Sequence, residues 1–159
     1  MPIRYTDREI NAFIREPKHL PSDFRKRLKL REKRGHREQE FSVSGDEHNE
    51  FRIILRQNKR NSLDFSVILA LDPPDTNQLF RLRRYNGKSH EHTNPIEKQK
   101  FYDFHVHMAT ERYQDRGGRE DAYAEPSDRF NDFDTALARL FEDCNFRHPP
   151  QGQQELFGP

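Results

Sequence analysis

F-Y-D-F-H-V-H-M-A-T-E-R-Y, residues Phe101 to Tyr113, is the stretch on which the reading of this chain turns. If it is extended, successive side chains alternate between two faces. Tyr102, Phe104, Val106 and Met108 then form an apolar side, and Asp103, His105 and His107 stand together on the other. A strand with a good core face has no packing need for two histidines and a carboxylate opposite it. That polar face is therefore the first candidate for chemistry.

Outward from this strand, the preceding residues keep the same period. Phe41 and Val43 alternate with Ser42 and Ser44, and Gly45-Asp46 signals a turn. Phe51, Ile53 and Leu55 alternate with Arg52 and Arg56. Phe65 to Leu71 is apolar on both faces, as a strand in mid-sheet requires. Asp72-Pro73-Pro74-Asp75 breaks the chain before Leu79 to Tyr85, where Phe80 and Leu82 are expected to face one way and Arg81, Arg83 and Tyr85 the other. Asn86-Gly87 opens a connection of about fifteen residues, long for a compact domain, that carries His90-Glu91-His92. Ala122 to Glu125 reads as a last short strand before Pro126.

Helical periods lie at the two ends. Thr6-Asp7-Arg8-Glu9 has the spacing of a capping box, followed by Ile10, Phe13 and Ile14 on one face. A second short helix is expected to carry Arg25 to Lys29. Phe130, Phe133, Leu137, Leu140, Phe141 and Cys144 recur at helical spacing, with Asn131 or Asp132 as the cap. The expectation is an α+β domain over residues 1–147: an antiparallel sheet of five or six strands, with an N-terminal and a C-terminal helix packed on it. Residues 148–159, rich in Pro, Gly and Gln, are expected to form a disordered tail.

Composition limits the function classes. Only 31% of residues are hydrophobic, but thirteen Phe and five Tyr fall in clusters that supply core bulk. No apolar run approaches the length of a transmembrane helix, and the charged start lacks the apolar segment of a signal peptide. The lone Cys144 forms no internal disulfide, and the simplest setting is a reducing cytoplasm. The net charge of +1 conceals polarity: Phe24 to Arg37 holds eight Lys or Arg against one Glu, and Glu120 to Asp143 holds eight acids against Arg129 and Arg139. Such segments either bind charged partners or neutralise one another.

For chemistry, a histidine near its intrinsic pKa exchanges protons at neutral pH, and arginine binds nonbridging phosphate oxygens. His105, His107, Glu111 and Tyr113 are the candidate catalytic residues of a metal-independent ribonuclease. Arg52, Arg56, Arg81, Arg83, Arg84 and Arg112 are its candidate nucleic-acid contacts. The rival chemistry is a metal site on His90, His92, His105 and His107, for which zinc suits the donors. The spacing H-x-H-x3-E-x6-G from His105 through Glu111 to Gly118 is similar to half of the first cupin motif, although the upstream glycine and the second motif are missing.

Phe65-Ser66-Val67-Ile68-Leu69, Arg84-Tyr85-Asn86-Gly87, F-H-V-H-M-A-T-E-R-Y and Ala124-Glu125-Pro126 together resemble a family of small uncharacterised prokaryotic proteins. Arg84-Tyr85-Asn86 and the histidines beyond it look more distantly like TumE-type toxins of toxin-antitoxin pairs, which have R-Y-D-N followed by closely spaced histidines. Here the aspartate is absent and the histidines lie further apart. That resemblance implies an RNA-directed protein with a cognate antitoxin. The separated charged segments point instead to a non-enzymatic interaction protein, such as an antitoxin, a defence-system accessory or a phage-encoded inhibitor. Gln153, Leu156 and Phe157 resemble the Q-x-x-L-F peptide that docks on the bacterial sliding clamp.

Overall fold

A computed structural model describes residues 3–147. The tail residues Gln153, Leu156 and Phe157 lie outside them. Helix α1, Asp7–Arg15, begins with the capping box read from sequence: Thr6 Oγ accepts from Glu9 N at 3.1 Å and Glu9 accepts from Thr6 N at 2.9 Å. Ile10 and Ile14 are its buried residues. A two-residue strand β1, Lys18–His19, and a single-turn helix α2, Phe24–Arg27, follow. The basic run is helical only to Arg27, so α2 is shorter than expected.

Strands β2 (Arg31–Lys33), β3 (His36–Ser44), β4 (Glu50–Asn58), β5 (Phe65–Leu71) and β6 (Phe80–Asn86) form an antiparallel meander. Arg34 and Gly35 join β2 to β3 with φ of 48° and 88°, the two positive values of a tight I′ hairpin. The chain then leaves the sheet for a hairpin, β7 (His92–Asn94) with β8 (Gln99–Phe101), and returns as β9 (His105–Met108) against β6. The long connection after Gly87 thus contains its own structure. Helix α3 (Glu111–Arg116) precedes β10 (Tyr123–Pro126) on the far side of β9. The sheet order is β10-β9-β6-β5-β4-β3-β2. Its central strand is β5, the one apolar on both faces.

Helix α4 (Phe133–Asp143) is capped by Asp132, whose side chain accepts from Thr135 N at 2.8 Å. Phe133, Leu137, Leu140 and Phe141 face Val67, Leu69 and Tyr85 in one core that also takes in Ile10 and Phe24. A final strand β11 (Phe146–Arg147) runs parallel to β1. Lys18 is 0% exposed there. Its ammonium donates to the carbonyls of Phe13, Ile14, Glu16 and Cys144 at 2.8–3.0 Å, collecting the unpaired C-terminal carbonyls of α1 and α4.

The sequence starts this strand at Phe101, whereas β9 begins at His105; Tyr102 lies before it and is 50% exposed. Glu111 to Tyr113, expected just beyond the strand's end, belong to α3. Val106, with Phe104 and Met108 beside it, does face the core.

Candidate functional site

The site is positioned by an irregularity in β6. Leu69 lies opposite Arg83 and Ala70 opposite Arg81, so Leu82 is an extra residue in a β-bulge. Leu82, like Phe80 and Tyr85, is fully buried in the core. The bulge resets the alternation beyond it. Arg83 lies opposite the core-side Met108, and Arg84 lies opposite His107. Arg84, not Arg83, therefore shares the histidine face, and Tyr85 belongs to the core face instead of the polar one. Arg83 lines a cleft on the opposite side with Glu125, Asp128 and Asp143.

His105 and His107 are 2% and 4% exposed. Three elements bury them: β6 and β10 flank β9, and the β7–β8 hairpin lays His92 over both rings. The His92 ring stacks on His105 at 5.4 Å between centroids and meets His107 edge-on at 4.8 Å. His105 Nδ1 donates to the Asp103 carbonyl and His107 Nδ1 to the Asp121 carbonyl, both at 2.7 Å. His92 Nε2 donates to Asn94 Oδ1 at 2.7 Å. The Asn94 amide is itself oriented, because its Oδ1 accepts from Ala124 N and its Nδ2 donates to Ala124 O. Among the described residues, the second nitrogen of each ring makes no hydrogen bond. One ligand atom from each of the three residues can be chosen so that all lie within 4.8 Å of one another.

Burial pushes the His105 imidazole down to about 4 and His107 down to about 2, with the Arg84 charge adding to the effect at His107. Both rings are neutral at physiological pH. Burial lowers Arg84 as well, opposed by Asp121, which is 0% exposed and lies 3.0 Å from its Nε. Asp121 Oδ1 is also 3.3 Å from Arg119.

The other sequence candidates are dispersed. His90 is exposed and contacts Ser89, outside the three-histidine group. Glu111 accepts from Asp7 N at 2.7 Å and from Arg4, while Tyr113 and Arg112 both bind Glu97 in the hairpin turn. These three fasten α3 to its neighbours, and among the described residues none of them bonds a histidine. Arg81 pairs with Glu120, and Arg52 with Glu40 and Asp72.

Arg56 instead belongs to a groove of about 610 Å³ at the opposite end of the same face, lined also by Arg34, His36, Lys59, Arg60, Asp64 and Ser66. Lys59 pairs with Glu32, and Arg56 lies 3.8 Å from Glu38. Arg34 and Arg60 have no acidic partner among the described residues. Facing residues connect groove and histidines across the sheet: Arg56 opposes Ser66, Ser66 opposes Asn86, and Asn86 opposes His105. Ser66 Oγ also donates to Asn86 Oδ1 at 2.9 Å. At ordinary strand spacing, Arg56 and His105 are about 14 Å apart.

Sequence reasoning missed Asn94, Asp121, Lys18 and this groove. Asn94, two residues after His92, carried a usable signal, since a polar residue at that spacing faces the same way on a strand.

No curated protein and no solved structure matches the chain. A family model described as a family of unknown function, DUF6978, matches residues 5–147. That span begins just before α1 and ends with β11, taking in the sheet, the hairpin and every histidine of the buried group, and the chain belongs to that family.

Proposed function

We propose that the protein binds RNA, taking a single strand along the basic groove and onto the adjoining rim of the sheet face. The observation that carries this reading is the convergence of Arg34, His36, Arg56, Lys59 and Arg60 on one groove, with Arg34 and Arg60 uncommitted to acids among the described residues. Phosphate contacts of this kind supply affinity through released counterions. Its rim supports a single strand over a duplex. Asp64 of the groove accepts from Ser89, and the neighbouring Lys88 lies 5.5 Å from the ring of half-exposed Tyr102. An exposed aromatic beside a basic groove is a stacking surface for an unpaired base. The likeness of Arg84-Tyr85-Asn86 to TumE-type toxins points in the same direction.

Cleavage by a His105 and His107 proton pair has less support than binding. A ribonuclease pair needs one protonated ring and access to the phosphodiester, whereas burial keeps both rings neutral and leaves almost no surface for a phosphate.

The test is fluorescence anisotropy of a labelled oligoribonucleotide over a range of salt. For a single strand, the slope of log affinity against log salt should weaken by about 0.7 for each phosphate contact removed. Arg34→Gln with Arg60→Gln should thus lose about 1.4 from the slope. Absence of binding at low salt, or a slope unchanged in the double variant, would contradict the proposal.

A further inference from the structure

The three buried imidazoles have a chemistry that RNA binding does not use. Each ring is held by an acceptor: the Asp103 carbonyl for His105, the Asp121 carbonyl for His107 and the oriented Asn94 amide oxygen for His92. A nitrogen that donates to a carbonyl must carry the proton, so in the unprotonated form of each ring the lone pair falls on the other nitrogen. Those nitrogens are Nε2 of His105, Nε2 of His107 and Nδ1 of His92. Packing alone needs neither the matched tautomers nor three lone pairs without donors. Fixed tautomers with the second nitrogen bonded to a carbonyl or amide are the outer shell that metal-binding histidines use.

We infer that His92, His105 and His107 bind one divalent transition-metal ion of the zinc class through three imidazole nitrogens, with the fourth position left to water or an anion. Imidazole donors favour zinc and its neighbours over magnesium or calcium, which take oxygen. Zinc–nitrogen bonds of 2.0–2.1 Å place tetrahedral donors about 3.4 Å apart. One nitrogen from each ring can be chosen so that the three lie within 4.8 Å of one another, and closure falls to His92, the partly exposed member on a three-residue strand, while β9 keeps the other two in place. The bound ion would fasten the β7–β8 hairpin to the sheet. Arg84, beside His107, is paired with the buried Asp121, so the bound ion does not face an unpaired cation there. This inference stands apart from RNA binding, since groove variants and histidine variants report on it separately.

The experiment uses the full chain, purified without a histidine tag and stripped of metal, then dialysed against zinc and in parallel against cobalt(II). Wild type should retain one metal per chain by elemental analysis, and its melting temperature should rise on loading. The cobalt form should show the visible absorption of a four-coordinate ion. His92→Ala should abolish retention while keeping the melting temperature of the metal-free wild type, and His90→Ala should retain the metal. Asn94→Ala should weaken binding about 10–100-fold. If His92→Ala fails to fold, proton spectra of the cobalt-loaded wild type decide instead, because three ligating rings predict three strongly shifted exchangeable N–H signals. No stoichiometric metal in wild type, full retention by folded His92→Ala, or an absence of shifted imidazole signals would each overturn the inference.

Discussion

Asp143 is pulled in two directions. Burial works to raise its carboxyl, but hydrogen bonds from Arg129, at 3.0 and 2.8 Å, and from Tyr85, at 2.5 Å, outweigh burial and hold it below the usual carboxylate range. A carboxyl whose folded pKa is depressed contributes stability above its unfolded value, near 4, and loses it as pH falls through the folded value. Asp143→Asn should therefore be less stable than wild type at pH 7, and the gap should close as the solution is acidified below about pH 4. Urea unfolding across pH checks this. Asp121 is a harsher case, since it is fully buried against Arg84. Asp121→Asn should cost about 3–5 kcal/mol in urea unfolding because it leaves the guanidinium buried without its counter-charge. The role of Asp121 was hidden in the sequence for a physical reason. Arg84 reaches the histidine face only through the bulge at Leu82; strict alternation put Arg83 there in its place, beside Arg81, which does lie on that face.

At the scale of elements, the strands and helices with strong periodicity were legible. The capping box of α1, the Asp132 cap of α4 and the two-faced apolar β5 follow from residue type and spacing. The segment after Phe101 was legible only in part: the strand starts at His105 instead of Phe101, and beyond its end Thr110 caps a helix where a loop was expected. Two local features have measurable consequences. A methyl group at Gly87 would lie 1.8 Å from the Leu63 carbonyl oxygen, on backbone that cannot easily yield. Gly87→Ala should lower stability by about 1–3 kcal/mol or more, read as a shift in thermal midpoint. Lys18 joins the ends of α1 and α4, and Lys18→Met would leave four carbonyls without their donor. A loss of about 3 kcal/mol is expected in urea unfolding. Nothing in the local sequence marks Lys18, since its partners include a residue far along the chain.

The whole molecule is a seven-stranded antiparallel sheet with its core and α4 on one face, and with the basic groove and the buried histidines on the other. The fold class and the H-x-H face could be read from sequence. The groove could not, because Arg34 comes from the β2–β3 turn and Arg56 and Arg60 from the end of β4 and the turn beyond it, two segments that only the meander brings together. Nor could the choice among four histidines, which depends on the hairpin carrying His92 inward and leaving His90 in solvent. No helix among the described residues is long and apolar enough to cross a membrane. The central functional claim is that one face of this sheet receives an RNA strand at the groove. It is tested most directly by titrating isotope-labelled protein with a short single-stranded oligoribonucleotide and following backbone and side-chain resonances. Shifts concentrated at Arg34, Arg56, Lys59, Arg60, Ser66 and Tyr102 are the predicted result. Shifts confined to the α4 face, or none at low salt, would contradict the account.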